Sequence, residues 1–263
     1  MKNILERIKN NKPLVHHITN YVTVNDCANV VLNWGGLPVM ADSEEEVADM
    51  VKMASAVVLN IGTLNERLVN SMLRAGKRAN RLDIPVILDP VGTGSTEYRT
   101  NVALKLLEEL NISVITGNIG EITILSGNKA TVRGVESVGK YDNILVNAKN
   151  LAKKYDAIVV VSGSDDIVTD GEKSYKVYNG HPLMKQVVGT GCMLTSTIGV
   201  FAGVKNSYLG ACLDAVSAFG VAGENAAKES GRPASYKIAL LDNISTMSDK
   251  ILEENQKVIL LPK

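Results

Sequence analysis

The stretch AVVLNIGTLNERLVNSMLRAGKRANRLDIPVILDP, residues 56–90, decides the architecture. It opens on the β-branched run Ala56-Val57-Val58-Leu59-Asn60, apolar enough to be a strand covered on both faces. A segment of helical period follows over 65–82, and a second strand-like run, Pro85-Val86-Ile87-Leu88-Asp89, closes the unit. A strand, a helix and a strand in this order form a crossover, which places the two strands parallel in one sheet. The alternation continues through Ser113-Val114-Ile115-Thr116 and Ala157-Ile158-Val159-Val160-Val161, with helical spacing over 100–110 and 143–155. An α/β fold follows, a three-layer sandwich with a mainly parallel central sheet and helices on both faces. Asp170-Gly171 between 166–169 and 173–178 predicts a hairpin that extends the sheet with an antiparallel pair. Helices are expected over 192–204, 208–228 and 236–253, the last two parted by Gly231-Arg232-Pro233. No repeat or flexible linker interrupts residues 1–263, so one domain is expected.

Charge narrows the partners. Lys plus Arg (28) equals Asp plus Glu (28), so no net field draws nucleic acid or an anionic membrane, and a small-molecule partner fits better. Cys27, Cys192 and Cys212 are odd in number and lack CxxC spacing. That argues against a disulfide framework and a structural zinc site, and for a reducing, cytoplasmic setting. Residues 1–13 have the spacing of an amphipathic helix rather than a secretory signal. The 19 uncharged residues between Lys185 and Lys205 contain Gln186, glycines, threonines and a serine, and so predict a buried glycine-rich loop followed by a core helix, not a membrane span.

Parallel α/β sheets bind ligands where strands end and helices begin. The strand ends here are Asn60-Ile61-Gly62-Thr63, Asp89-Pro90-Val91-Gly92-Thr93-Gly94, Thr116-Gly117-Asn118-Ile119-Gly120-Glu121 and Ser162-Gly163, all small, polar or acidic. In Val187-Val188-Gly189-Thr190-Gly191-Cys192-Met193, two glycines flank a threonine at a helix start. Such a turn gathers backbone N–H groups at the positive end of a helix dipole and predicts an anion hole for phosphate. Asp89 and Glu121 then offer two carboxylates to Mg²⁺, which prefers oxygen ligands shared with substrate phosphates. Taken singly, Asp89 also reads as an Asx turn before Pro90 and Glu121 as a helix-start carboxylate. A free thiol titrates near ~8.5 and a helix N-terminus lowers that value, whereas a nearby phosphate raises it, so Cys192 is expected to be a weak base or a positioning group. Met40 by itself is a strand-end core residue. His16 and His17, adjacent in an extended stretch, point to opposite faces and share no metal, and His181 reads as a surface-turn residue.

Asn118-Ile119-Gly120-Glu121 resembles the Asn-x-x-Glu motif of ribokinase-like kinases, and Gly189-Thr190-Gly191-Cys192 resembles their anion-hole motif with cysteine in place of aspartate. Pro13-Leu14-Val15-His16-His17-Ile18-Thr19-Asn20 is similar to the N-terminal signature of hydroxyethylthiazole kinases. Gly36-Leu37-Pro38-Val39-Met40-Ala41, Leu59-Asn60-Ile61-Gly62-Thr63, Leu88-Asp89-Pro90-Val91-Gly92 and Asn179-Gly180-His181 match in order, so the resemblance spans nearly the whole chain. It implies a ribokinase-like fold and phosphorylation of the hydroxyl of 4-methyl-5-(2-hydroxyethyl)thiazole by ATP with Mg²⁺, a salvage step toward thiamine. By position it implies that Asn20, Met40, Gly189 and Cys192 bind the thiazole, that Gly189, Thr190, Gly191 and Cys192 form the catalytic turn, that Thr116, Ser162 and Asn118 lie on the ATP side, and that Asp89 and Glu121 lie on the metal side. It also implies a homotrimer with the thiazole pocket at subunit interfaces. Two departures stand out: Thr116 replaces a usual Arg or Lys, and Val188 a common threonine; Lys185 is a candidate substitute cation. The competing readings are a kinase for hydroxymethylpyrimidine or a pyridoxal-like vitamer, and a non-catalytic thiazole or nucleotide sensor. A Rossmann oxidoreductase and a P-loop NTPase lack their GxGxxG and GxxxxGK[ST] fingerprints here.

Overall fold

A computed structural model describes residues 3–128, 132–133, 136–137, 143–204 and 207–262. In chain order the elements are α1 (Ile4–Asn11), β1 (Leu14–Ile18), α2 (Val24–Trp34), β2 (Leu37–Val39), α3 (Val47–Met50), β3 (Ala56–Asn60), α4 (Glu66–Arg81), β4 (Val86–Asp89), α5 (Glu97–Glu109), β5 (Val114–Asn118) and α6 (Ile119–Leu125). Then come β6 (Val132–Arg133), β7 (Glu136–Ser137), α7 (Ile144–Tyr155), β8 (Ile158–Ser162), β9 (Asp166–Thr169), β10 (Ser174–Val177), α8 (Thr190–Ala202), α9 (Tyr208–Glu229), α10 (Pro233–Ser245), α11 (Asp249–Asn255) and β11 (Val258–Leu260).

The main sheet has the order β11-β10-β9-β8-β5-β4-β3-β1-β2. From β8 to β2 every pairing is parallel, and β9, β10 and β11 add antiparallel strands at the other end. This is the expected α/β sandwich, with one core between the sheet and α1, α2, α8, α9 and α10, and a second between the sheet and α4, α5, α6 and α7. Alternate residues divide between the cores as a period of two requires: Val58 and Ile87 join the α8 side, Val57 and Leu88 the α4 side. On the α8 side Trp34 meets Phe201 edge to face, with ring centroids 5.3 Å apart. The hairpin forms at Asp170-Gly171, where Gly171 takes φ +89°.

Two expectations fail. The 236–253 segment is not one helix: α10 starts earlier, with Pro233 in its first turn, and ends at Ser245, and Ser248 accepts from Ile251 N to start α11 separately. The break buries Met247, which a continuous helix would have to place elsewhere. The glycine-rich turn that leads into α8 is not buried either, since Val188 ahead of the helix is 70% exposed and Gly191 in its first turn is exposed. The core helix after it is real, with Met193–Ala202 all buried. Among the described residues no helix is long and apolar enough to cross a membrane. Cys27 and Cys212 are buried and Cys192 is half-buried.

Candidate active site

Sheet register gathers the polar strand ends. Asn60 pairs with Asp89 across β3 and β4, and Asn118 with Ser162 across β5 and β8. Val58, Ile87, Val114 and Val160 face α8, so two residues further on Asn60, Asp89, Thr116 and Ser162 face the same side, toward the start of α8. Asn20 follows β1 and Met40 follows β2. Along the rim the order is therefore Met40, Asn20, Asn60, Asp89, Asn118, Ser162.

Asn60, which sequence reading treated as one polar strand end among several, is the hub. Its Nδ2 donates to Asp89 Oδ2 at 2.7 Å and to Cys192 Sγ at 3.3 Å, and its Oδ1 accepts from Asn20 Nδ2 and from Gly62 N, both at 2.9 Å. Asn20 Nδ2 also approaches Cys192 Sγ at 3.5 Å, and Asn20 Oδ1 accepts from the Thr23 amide and hydroxyl. Thr195 donates to Asp89 Oδ2 at 2.8 Å. One buried network thus joins Asn20, Asn60, Asp89 and the first turns of α8.

Gly189 caps α8 with φ +88°, and a Cβ on it would stand 2.5 Å from Thr23 Cγ2. Both facts require glycine. The first intrahelical bond runs from Met193 N to Gly189 O at 2.8 Å, so the amides of Thr190, Gly191 and Cys192 come before the helix's own ladder. A Cβ on Gly191 would meet no heavy atom within 4 Å. Open space therefore lies beside donor groups at the positive end of a 13-residue helix, which suits an anion. The Thr190 hydroxyl is tied back to the carbonyls of Met184 (3.0 Å) and Val187 (3.4 Å), so the backbone of this residue is what it offers to a ligand.

Across the rim, Glu121 and Asn118 form a capping box: Asn118 Oδ1 accepts from Glu121 N, and Glu121 Oε2 from Asn118 N at 2.8 Å. Glu121 Oε1 accepts from Gly92 N at 2.8 Å, tying the end of β4 to the start of α6. Burial pushes Asp89 up to about 7 despite the hydrogen bonds from Thr195 and Asn60. Burial, and secondarily the charge of Asp89, pushes Glu121 up to about 8. Two buried carboxylates, with the charge of Asp89 raising the proton affinity of Glu121, form a site that a divalent, oxygen-seeking cation would relieve, so the residues fit Mg²⁺. Among the described residues no cluster of three or more His, Cys, Asp or Glu side chains is placed to hold a metal.

At Cys192 the lowering that a helix start gives a thiol does not prevail. Burial first, and the Asp89 charge second, push its thiol up to about 12. On the far side, Thr116 is buried within β5 and Ser162 is half-buried at the end of β8. The following turn is pinned by Gly163 N donating to Asp166 Oδ1 at 2.8 Å. Lys185 is exposed in a short 3-10 turn, Pro182–Gln186. Met40 lies just past the edge strand β2, half-buried rather than in the core, and two strand spacings or ~10 Å to the side of the β3 strand that carries Asn60. His16 and His17 do face opposite ways, His16 Nε2 to Ala41 O at 2.7 Å and His17 Nε2 to Ser196 Oγ at 3.0 Å. Arg99, which no motif singled out, binds three carbonyls of the β3 and β4 end loops.

A family model described as the hydroxyethylthiazole kinase family matches residues 5–250. The chain belongs to the hydroxyethylthiazole kinase family. A relative named hydroxyethylthiazole kinase, from Thermoanaerobacter pseudethanolicus, is 52% identical over 259 residues, covering 98% of each chain. The solved structure of a hydroxyethylthiazole kinase protein from Pyrococcus horikoshii OT3 superimposes with a TM-score of 0.91 at 38% identity, covering all of both chains. The pyridoxal kinase of Staphylococcus aureus in complex with ADP shares the fold, with a TM-score of 0.62 at 14% identity over 81% of this chain and 88% of its own. Membership makes this chain an enzyme, a kinase with a ribokinase-like α/β sandwich and ATP as co-substrate.

Proposed function

We propose that this chain, acting as a single kinase domain, transfers the γ-phosphoryl group of ATP to the hydroxyl of 4-methyl-5-(2-hydroxyethyl)thiazole at the Gly189–Cys192 turn. The order of residues along the rim carries the proposal. Met40 and Asn20 lie at one end, Asn118 and Ser162 at the other, and Asp89 with the open amides of α8 lies between them. An acceptor held by the first group and a nucleotide held by the second would meet at the helix start. Thr116, Ser162 and Asn118 form the nucleotide side, and Asn20, Met40, Gly189 and Cys192 the thiazole side.

The amides of Thr190, Gly191 and Cys192 face the charge that develops on the transferred group, and donors fixed before the reaction need no reorganisation during it. Asn20 and Asn60 hold Cys192 in one place, so the thiol orients the substrate hydroxyl. A group titrating at about 12 stays protonated at neutral pH, and Cys192 acts by position rather than as a base. That suffices, because the loose transition state of phosphoryl transfer asks mostly for positioning and charge stabilisation. Mg²⁺, held against Asp89 and Glu121, would neutralise phosphate charge when bound.

Around the thiazole end, Tyr21 (78%), Val22 (59%) and Val188 (70%) are exposed apolar residues in segments that meet where Gly189 abuts Thr23. That surface supports a contact with a neighbouring copy that closes the pocket, and the family resemblance implies a homotrimer. An odd number of cysteines without CxxC spacing fits a cytoplasmic setting.

Amide NMR tests the assignment of the turn. Addition of thiazole, Mg²⁺ and a non-hydrolysable ATP analogue should shift the Thr190, Gly191 and Cys192 signals together. Binding of both ligands with those three signals unmoved would overturn the reading.

A further inference from the structure

Arg99 lies in the first turn of α5, whose cap is Thr96. Its guanidinium spans two strand-end loops: Nη1 donates to the carbonyl oxygens of Ile61 at 2.8 Å and Val91 at 2.9 Å, and Nη2 to that of Gly62 at 2.7 Å. Ile61 directly follows Asn60, and Val91 lies just past Asp89 and Pro90. Gly92 packs against the same side chain, where a Cβ would stand 3.2 Å from Arg99 Cδ and 3.4 Å from Nη1. Gly92 N in turn donates to Glu121 Oε1. One planar cation therefore links the loop that carries Asn60, the loop that carries Asp89 and, through Gly92, the carboxylate of Glu121.

We propose that Arg99 is a positioning residue for phosphoryl transfer, its guanidinium fixing the separation of the Asn60 and Asp89 loops and so the alignment of the acceptor side with the acidic pair. The proposal rests on the site described under the proposed function. Arg99 touches no reacting atom. Its partners are backbone carbonyls, so it acts on where the loops sit and not on what their side chains are. Only a fork of donors in one plane serves three carbonyls from two loops, and the single ammonium of lysine cannot copy that geometry. The guanidinium also sets a positive charge near Glu121, opposing the repulsion between the two carboxylates.

Steady-state kinetics on the full chain with thiazole, ATP and Mg²⁺ test this, with melting followed in parallel. Arg99→Met keeps the apolar stem and removes all three bonds. It should lower kcat roughly 10²-fold, the cost of misplacing reacting groups by about 1 Å, while KM for either substrate moves less than about threefold. Arg99→Lys should fall between that variant and wild type, and millimolar methylguanidinium should return part of the lost kcat to Arg99→Ala. A folded Arg99→Met chain with wild-type kcat would overturn the proposal. So would loss of fold in both Arg99→Met and Arg99→Lys, which would assign the residue to the scaffold alone. A wild-type chain that transfers no phosphate to the thiazole refutes the reading of the site, whereas an active wild type beside an equally active Arg99→Met refutes the role of Arg99 by itself.

Discussion

Gly191→Ala is expected to raise stability and lower activity together. Gly191 sits in the first turn of α8 without a left-handed φ, and a Cβ on it would meet no heavy atom within 4 Å. The protein therefore has no steric objection to a methyl group there. Removing a glycine from a helical position cuts the freedom of the unfolded chain and gains about 0.5–1 kcal/mol, or roughly 1–3 °C in Tm for a chain of this size. The same methyl group enters the space beside the amides of Thr190, Gly191 and Cys192. If that space holds the transferring phosphoryl group, a displacement of about 1 Å costs roughly 10²-fold in kcat, and Gly191→Val should cost more. Gly189→Ala is the contrasting case: φ +88° and the 2.5 Å approach to Thr23 Cγ2 should destabilise the fold by about 1–3 kcal/mol. Thermal melts monitored by circular dichroism, run beside steady-state kinetics on the same preparations, read both effects. Wild-type kcat in a folded Gly191→Ala chain would show that the open space is not where phosphate passes.

Asp89 titrates at about 7 when folded against 3.8 when unfolded, so the folded chain holds the proton longer and loses stability as pH rises between those values. Asp89→Asn, compared with wild type in urea unfolding without divalent cations, should therefore gain at pH 8 relative to pH 4, by at most about 4 kcal/mol; an equal difference at both pH values would contradict this. Glu121→Gln turns an amide N–H₂ toward either Gly92 N or Asn118 N, and should raise the Mg²⁺ concentration needed for half-maximal rate. An unchanged Mg²⁺ titration would remove Glu121 from the metal side. Cys192→Ala should keep the shape of the rate profile from pH 6.5 to 9, with kcat within about tenfold of wild type, because no thiolate is used. A limb near pH 8 to 9 that vanished in the variant would show the thiol acting as a base.

The parallel centre of the sheet was legible because strands such as β3 and β8, buried on both faces, need continuous apolar runs and announce themselves. Asp170-Gly171 was legible for a local reason, the positive φ that Gly171 supplies. The outermost strand β11 was not: three residues, two of them exposed, make a run that a loop shares. The break after α10 depends on a serine cap and one buried methionine, too little signal to stop a helical period. At the site, the residue types at the strand ends were readable, but the bonds between them were not. Asn60 meets partners 29, 40 and 132 positions away, and Arg99 reaches back 37 and 38, separations that local pattern cannot encode. Cys192 shows where a local rule loses: the helix start lowers a thiol, and burial beside Asp89 raises it further.

The most direct measurement is the product of the purified protein given ATP, Mg²⁺ and an equimolar mixture of hydroxyethylthiazole, hydroxymethylpyrimidine and pyridoxal, read by mass spectrometry with ADP counted alongside. Thiazole phosphate and ADP are expected in equal amounts, with the other two alcohols left unmodified. Phosphate on either of those alcohols in preference to the thiazole, or thiazole bound without any ADP formed, would contradict the proposed function.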